Sequence, residues 1–534
     1  MTIKHLMMAS ALALSSAAAL AAPAAAERVL RVADSPIGEI DPHLGNDLTD
    51  TVLAVNIYDT LVFPRADGPG VVPHLASEWA IDGAVYTFTL RDDVTFHSGN
   101  PLTADDIVFS FNRFMDMGQG LSSMFAGQVE TVEAVDPHTV RFTLTAPFAP
   151  FLSNLVRLHI VDSQLVLANL ADGTYGEMGD YGAAFLNGHD AGSGAYMVTS
   201  QNPQTETVLA KFDDYFGGFI ENAADTVRYR YGIEASTMRA LLARGEHDIS
   251  DEFLPPEVIA ALANDPNLHL ISQGGSTGDY IKLNTQRAPL DDVHCRRALS
   301  YAFDYENTLR ILQINGEFSQ GRPMRGPIPS ALAGYNPDAP VMAQDMDRAR
   351  EELALCQYDP AQYPLDIAWV AEVPARERVA MLMQATFSQL GFRVNVSKTP
   401  WALLTEQVSN AETAPHAAEI GVSANSPDTD SLLYAMYHSS VAPTWMSAEH
   451  LKNDDVDALL DAARLETDED KRVEIYSQLN TLLIDLAPSI FAYESVGVYV
   501  ARNSIDVPDM LNDDTRRIEM YNMNWNNISV ADEQ

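Results

Sequence analysis

Apolar positions along the chain repeat with two periods, and the switches between them outline its elements. Residues 29–33 (VLRVA) read as a first strand, and the polar, Gly- and Pro-bearing stretch 34–47 reads as a loop. Within 49–62 (TDTVLAVNIYDTLV) the apolar residues fall at helical spacing. Alternation returns in 84–97 (AVYTFTLRDDVTFH), which predicts a hairpin of two strands around a turn. Two strands around the Asp136-Pro137 turn follow over 131–147, and two more over 192–218, ending at Gly217-Gly218. From there helices and strands take turns. Helix 235–245 precedes 247–250 (HDIS), and 279–285 (DYIKLNT) precedes a helix over 291–313. Residues 375–398 read as a helix, the capping Gly391 and a strand, and 417–425 as a strand entering the loop SANSPDTDS. This order, with loops at the strand ends, argues for α/β lobes.

One stretch in that pattern looks chemical. Residues 96–109 (FHSGNPLTADDIVF) bring His97, Asp105 and Asp106 within one turn and one helix. Their structural reading is self-consistent: Gly99 and Pro101 build a turn, and Thr103 with Asp106 makes a capping box. Both aspartates favour the positive end of a helix whose buried face is Ile107, Val108, Phe111 and Phe114. A metal site needs several converging ligands, and the other histidines are scattered far off in sequence. The stretch is read as a scaffold corner.

The first 26 residues carry Lys4 and His5, an Ala-rich apolar run and AAA before Glu27. That is the pattern of a secretory signal peptide cleaved after Ala26. No other run approaches the ~20 consecutive apolar residues of a spanning helix, so the mature protein is expected to be soluble and periplasmic, with no direct membrane insertion. Neither of the two cysteines, Cys295 and Cys356, lies near the leader, which excludes a lipoprotein. In an oxidising compartment the two are a candidate disulfide pair, worth about 4 kcal/mol on the chain-entropy model; the alternative is two buried thiols on separate helices.

A chain of 534 residues is too long for one core and ample for two or three lobes. Its formal charge of −41 grows by one unit when Lys4 leaves, which argues against nucleic acid as a partner. A solvated acidic surface suited to salty surroundings explains it, as does a cationic ligand. Motifs for zinc, redox, phosphate or dinucleotide chemistry (H-E-x-x-H, C-x-x-C, G-x-x-x-x-G-K, G-x-G-x-x-G) are absent. GSGAY at 192–196 is a tight turn into a strand, and PDTDS at 427–431 lacks the glycine and distal glutamate of a calcium loop. Neither a metal nor a cofactor is expected.

Several segments together resemble the family 5 extracellular solute-binding proteins, the dipeptide, oligopeptide and nickel receptors of ATP-driven importers. LRDDVTFHSGNPLTADDIVFSFNRF (90–114) is similar to that family's strand, F-H-x-G-x-P-L-T-A-x-D and helix. AGSGAYMV stands where it has a G-T-G-P-Y turn, YIKLNTQRAPLDDVHCRRALSYAFDYE (280–306) resembles its hinge strand and next helix, and GPIP (326–329) its usual loop. SANSPDTDSLLYAMY resembles its loop A-D-Y-x-D-P-D-x-F-L. The resemblance implies a type II periplasmic-binding-protein fold, in which two lobes joined by crossing strands close over a solute. Lobe I would be 27–62, 190–285 and 505–534, with an inserted subdomain at 63–189, and lobe II 286–504. Contacts to both lobes favour the closed form, which a membrane partner reads.

In peptide-binding relatives the aspartate of that last loop anchors the peptide ammonium. Asn425 takes its place here, and a neutral amide cannot neutralise an ammonium, so the contact is weaker. Asp428 keeps an acidic group nearby, and Asp430 stands close to where nickel receptors have a histidine. Trp401 follows a strand where the family presents an aromatic to the cleft, with core packing as its alternative. Tyr280 and Asn284 on the hinge strand, and His43 in the first loop, complete the candidate ligand contacts. The expectation is a monomeric, non-enzymatic receptor that delivers a peptide-like or amino-acid-derived solute to an inner-membrane ABC permease. An oligosaccharide, held by Trp401, Asn425 and Trp445, is the alternative; a sensor or chaperone subunit and a secreted hydrolase are more remote.

Overall fold

The computed structural model describes residues 27–35, 39–45, 48–510 and 518–531, with Glu519 by its backbone alone; the expected signal segment lies outside the described residues. A four-stranded sheet begins the fold. Val29–Asp34 pairs in parallel with Thr226–Tyr231, which continues antiparallel to Glu206–Lys211 and then Tyr196–Asn202. The helix Leu48–Ile57 packs beside it, burying Val52, Leu53 and Ile57 among Leu30, Val32, Val227 and Tyr229. The C-terminal stretch closes the same core with Met520, Tyr521 and Trp525.

A second, antiparallel four-stranded sheet runs Ala76–Asp82, Val85–Leu90, Thr139–Leu144 and Val129–Asp136 in spatial order. Helix Ala104–Met117 covers it through Ile107, Phe111 and Phe114, with Phe111 edge-on to Phe142 at 5.4 Å. The hairpin differs from the one predicted. Val85–Leu90 turns back at Gly83 onto Ala76–Asp82, and 93–97 becomes a loop rather than a second arm. Arg91 pairs with Asp93 at the strand end, and the Phe96 amide donates to the Asn100 carbonyl, curling the chain away from the ladder.

The corner of 96–106 is structural throughout. The Thr103 amide donates to Asp106 Oδ2 at 2.8 Å, and Asp106 Oδ1 accepts from the amide and hydroxyl of Ser163. His97 Nδ1 lies 2.5 Å from Asp190 Oδ1, and its Nε2 reaches the Gly194 carbonyl. Burial alone lowers the His97 pKa, but the Asp190 carboxylate outweighs it and raises the value above the ordinary one. Asp105 is exposed. The segment therefore clamps three stretches of backbone together.

The third sheet has six strands, in the order Gly321–Arg322, Ser489–Arg502, Leu268–Leu283, Ala417–Ser423, Leu365–Val370, Val394–Thr399. Alternation sorts its residues onto two cores: Tyr280, Ala368 and Ile420 face one, Ile281, Ile367 and Ile490 the other. The two long strands tie the halves together. Leu268–Leu283 and Ser489–Arg502 pair antiparallel, and their outer portions (Leu268, Val496, Val498, Val500) pack with Ala33, Met238 and Ile259 instead. Ile249 bridges Val32 to Ala501, joining the first sheet to this pair.

The helix predicted over 291–313 is two: Val293–Ala302 and Tyr305–Leu312. Phe303 is extended and Asp304 caps the second helix by accepting from the Asn307 amide, so a polar capping residue broke a continuous apolar period. Cys295, in the first of these helices, is bonded to Cys356 at the end of Met346–Leu355, with their Cα atoms 5.2 Å apart.

Candidate functional site

A cavity of about 430 Å3 opens beside the two long strands, where the halves face each other. Thr277, Asp279, Ser495 and Gly497 come from those strands, Thr49 and Glu252 from the first half, and Arg376, Trp401 and Asn425 from the second. Its size falls in the ~300–1,000 Å3 range of small-molecule pockets.

Two glycines shape the wall. A Cβ at Gly421, in the middle of Ala417–Ser423, would stand 2.6 Å from Arg376 Nη2 and 3.2 Å from Asp279 Oδ2. A Cβ at Gly497 would stand 2.4 Å from Glu252 Oε2. Each strand thus lets a charged side chain lie flat against its backbone.

Behind Gly421 sits a buried polar network. Arg376 Nη2 bonds Asp279 at 3.1 Å, and Ser495 donates to the same carboxylate at 2.7 Å. Burial by itself depresses the Arg376 pKa, but the Asp279 charge more than offsets it and holds the value above normal. Glu419, fully buried one layer back, has its pKa pushed well above the ordinary range, first by burial and then by Asp279.

The aromatic wall stands opposite. Trp401 opens the helix Trp401–Val408, and its amide donates to both oxygens of Glu372, which caps that helix end. Its ring meets Trp445 edge-on at 5.0 Å. Asn425 follows the strand Ala417–Ser423. Its Oδ1 accepts from Arg157 Nη2 at 3.4 Å, and its Nδ2 lies 3.7 Å from Met446 Sδ. Arg157 comes from the segment after the second sheet, so this bond reaches across from one half to the other. Ser426 repeats the crossing by donating to Asn154 Oδ1 at 2.9 Å.

The sequence candidates separate. Trp401 and Asn425 line the cavity together. Tyr280 is fully buried and donates to the Pro327 carbonyl at 2.7 Å. Asn284 donates to Ala411 and accepts from the Gln286 amide, fixing the loop after its strand. His43 lies between Arg113 and the His159 carbonyl, and burial followed by the Arg113 charge lowers its pKa to about 4. Asp428 takes both amino groups of Arg472, at 2.8 and 2.9 Å, and Asp430 pairs with Arg464. These four candidates and Asp430 lie off the cavity lining.

Arg157, Asp279, Arg376 and Glu252 were not singled out from sequence. Two signals were available: a lone arginine inside the apolar run 151–161, and a glycine in mid-strand at 421.

The family model for bacterial extracellular solute-binding proteins, family 5 Middle, matches residues 70–444. The chain belongs to this family. Among similar proteins, the "Probable D,D-dipeptide-binding periplasmic protein DdpA" of Escherichia coli K12 is 30% identical over 469 residues, covering 85% of this chain and 86% of the relative. The dipeptide-binding protein of the same organism is 26% identical over 470 residues, covering 83% and 84%. In structure, the ABC transporter-associated periplasmic binding protein DppA of Helicobacter pylori, solved with the peptide STSA, superposes with a TM-score of 0.81 at 24% identity, covering 95% of this chain and 99% of that one. This family 5 protein is thus a solute-binding receptor with the α/β fold of periplasmic binding proteins. No helix among its described residues is long and apolar enough to cross a membrane.

Proposed function

We propose that this family 5 receptor captures a small peptide-like or amino-acid-derived solute in the 430 Å3 cavity and hands it to an inner-membrane ABC permease. The observation that carries the reading is the wall itself: guanidinium groups (Arg157, Arg376), carboxylates (Glu252, Asp279) and a tryptophan pair surround one space between two separately cored halves. A zwitterion with a short side chain matches such a wall; a purely apolar ligand would take water from its charged groups and give nothing in return. The peptide-binding names of the relatives agree with it.

In this reading Asn425 and Trp401 touch the solute, while Tyr280, Asn284, His43 and Asp428 hold the backbone that presents them. Residues 27–62, 190–285 and 505–534 act as one lobe, 63–189 as its inserted subdomain and 286–504 as the other lobe. The long strands are the hinge, and the Arg157–Asn425 and Asn154–Ser426 bonds belong to the closed form. The mature protein is a monomer released after Ala26, and it does no chemistry on its solute. A second reading, an oligosaccharide receptor, draws on Trp401, Trp445 and Asn425 lining one wall.

A thermal-shift screen of the mature protein against L-alanyl-L-alanine, D-alanyl-D-alanine and maltotriose tests this. At one hundred times the dissociation constant a ligand adds about 2.7 kcal/mol to stability. A shift with a dipeptide that Asn425→Leu removes is the expected result. A shift with maltotriose alone selects the second reading.

A further inference from the structure

We infer that the Arg157–Asn425 corner binds the anionic end of the solute, a carboxylate, so that the polarity of this subsite is reversed relative to the ammonium-anchoring aspartate that Asn425 replaces. The inference rests on the cavity being the solute site.

Among the described residues five cationic side chains are buried: Arg113, Arg157, Lys282, Arg296 and Arg376. Arg113, Lys282 and Arg376 each have a carboxylate partner, in Asp41, Glu449 and Asp279. Arg296 has the backbone carbonyls of Leu290, Leu486 and Ala487 at a helix end. Arg157 has neither. It is 3% exposed, and its hydrogen bonds go to Thr51 Oγ1, Met520 Sδ and, at 3.4 Å, Asn425 Oδ1. Its Nε is buried with no hydrogen-bond partner. A buried guanidinium answered by the hydroxyls of Thr51 and Tyr521, a thioether and a long amide contact, with no carboxylate among the described residues, is short of countercharge, and it lines the cavity.

Asn425 points the same way. Its Nδ2 has only the Met446 sulfur at 3.7 Å, so the corner offers N–H donors from both residues. An aspartate here would accept only, and would cancel the Arg157 charge. A carboxylate arriving from the solute takes donors from both side chains and supplies the missing countercharge. Glu252 and the exposed Glu372, elsewhere on the lining, carry negative charge on the side where the cationic end of a zwitterion would lie.

The test compares L-alanyl-L-alanine, N-acetyl-L-alanyl-L-alanine and L-alanyl-L-alanine amide, and the same three D,D compounds, by isothermal titration of the mature protein. Maltotriose is the uncharged comparison. At least one free acid is expected to bind at least about 30-fold tighter than its amide. Arg157→Met should abolish that preference, and Asn425→Asp, which supplies an internal countercharge without shortening any side chain, should do the same if the first variant does not fold. Equal binding of acid and amide, or parallel loss of both in the variants, overturns the inference. Binding of the amides alone keeps the amino-acid-derived reading and overturns only the polarity. Binding of maltotriose alone, or of nothing, overturns both.

Discussion

Lys282→Met should cost the receptor about 3–5 kcal/mol of stability and loosen its solute site as well. Lys282 and Glu449 are both fully buried, and the ammonium nitrogen lies 3.0 and 3.2 Å from the two carboxylate oxygens. Its third contact is the Met446 carbonyl at 2.8 Å, and Ser489 donates to the same carboxylate at 2.5 Å. Methionine fills the volume but strips the carboxylate of its countercharge and the Met446 carbonyl of its donor. A buried carboxylate left with one hydroxyl is the expensive case, whereas removal of both charges together is often neutral. The double variant Lys282→Met/Glu449→Leu should therefore recover most of the loss, giving a coupling above about 2 kcal/mol in a double-mutant cycle. Urea unfolding followed by tryptophan emission measures it. Met446 and Trp445 line the cavity, so the single variant should also weaken ligand binding by releasing the loop that carries them. A loss below about 1 kcal/mol, or a double variant no more stable than the single one, refutes the reasoning.

Reduction of the Cys295–Cys356 bond, or its replacement by two serines, should cost about 4 kcal/mol because it frees a loop spanning a separation of 61 residues; melting curves with and without reductant show it. Glu419 has a raised pKa in the folded protein, so its contribution is present below the unfolded carboxyl value near 4.5 and fades as pH rises through the folded value. Glu419→Gln should flatten that decline and stabilise the protein at neutral pH, as read from melting temperatures between pH 4 and 8. Gly421→Ala should weaken solute binding at least several-fold by forcing Arg376 off the strand, with little change in the far-ultraviolet spectrum.

Most of the fold was legible because its signals are local. The alternation in 417–423, the capping Asp106 and the apolar face of 104–117 each act within one element, and the structure realises them. The misreadings share a cause. The period in 291–313 is continuous, but Asp304 satisfies a helix N-terminus with its own side chain, so capping overrode periodicity. In 93–97 the pattern alternates, yet no partner strand stands beside it, and alternation without a ladder gives a loop.

The site was half legible for a different reason. Asn425 stood out because it departs from the residue the resemblance implies, and Trp401 because it is an aromatic following a strand; both line the cavity. Tyr280 and Asp428 carry equally suggestive side chains, but tertiary bonds, to the Pro327 carbonyl in one case and to both amino groups of Arg472 in the other, tie each to a neighbouring element. What decides whether a polar residue is free for a ligand is whether the rest of the fold has already answered it. That is a property of pairs far apart in the chain. Asp279 and Arg376 lie 97 positions apart, and Arg157 and Asn425 lie 268. A buried arginine in an apolar run says from sequence only that something must answer its charge. Among the described residues, three of the other four buried cations have their carboxylate and the fourth a set of carbonyls, while Arg157 has no countercharge there, which is why a solute carboxylate is inferred for it.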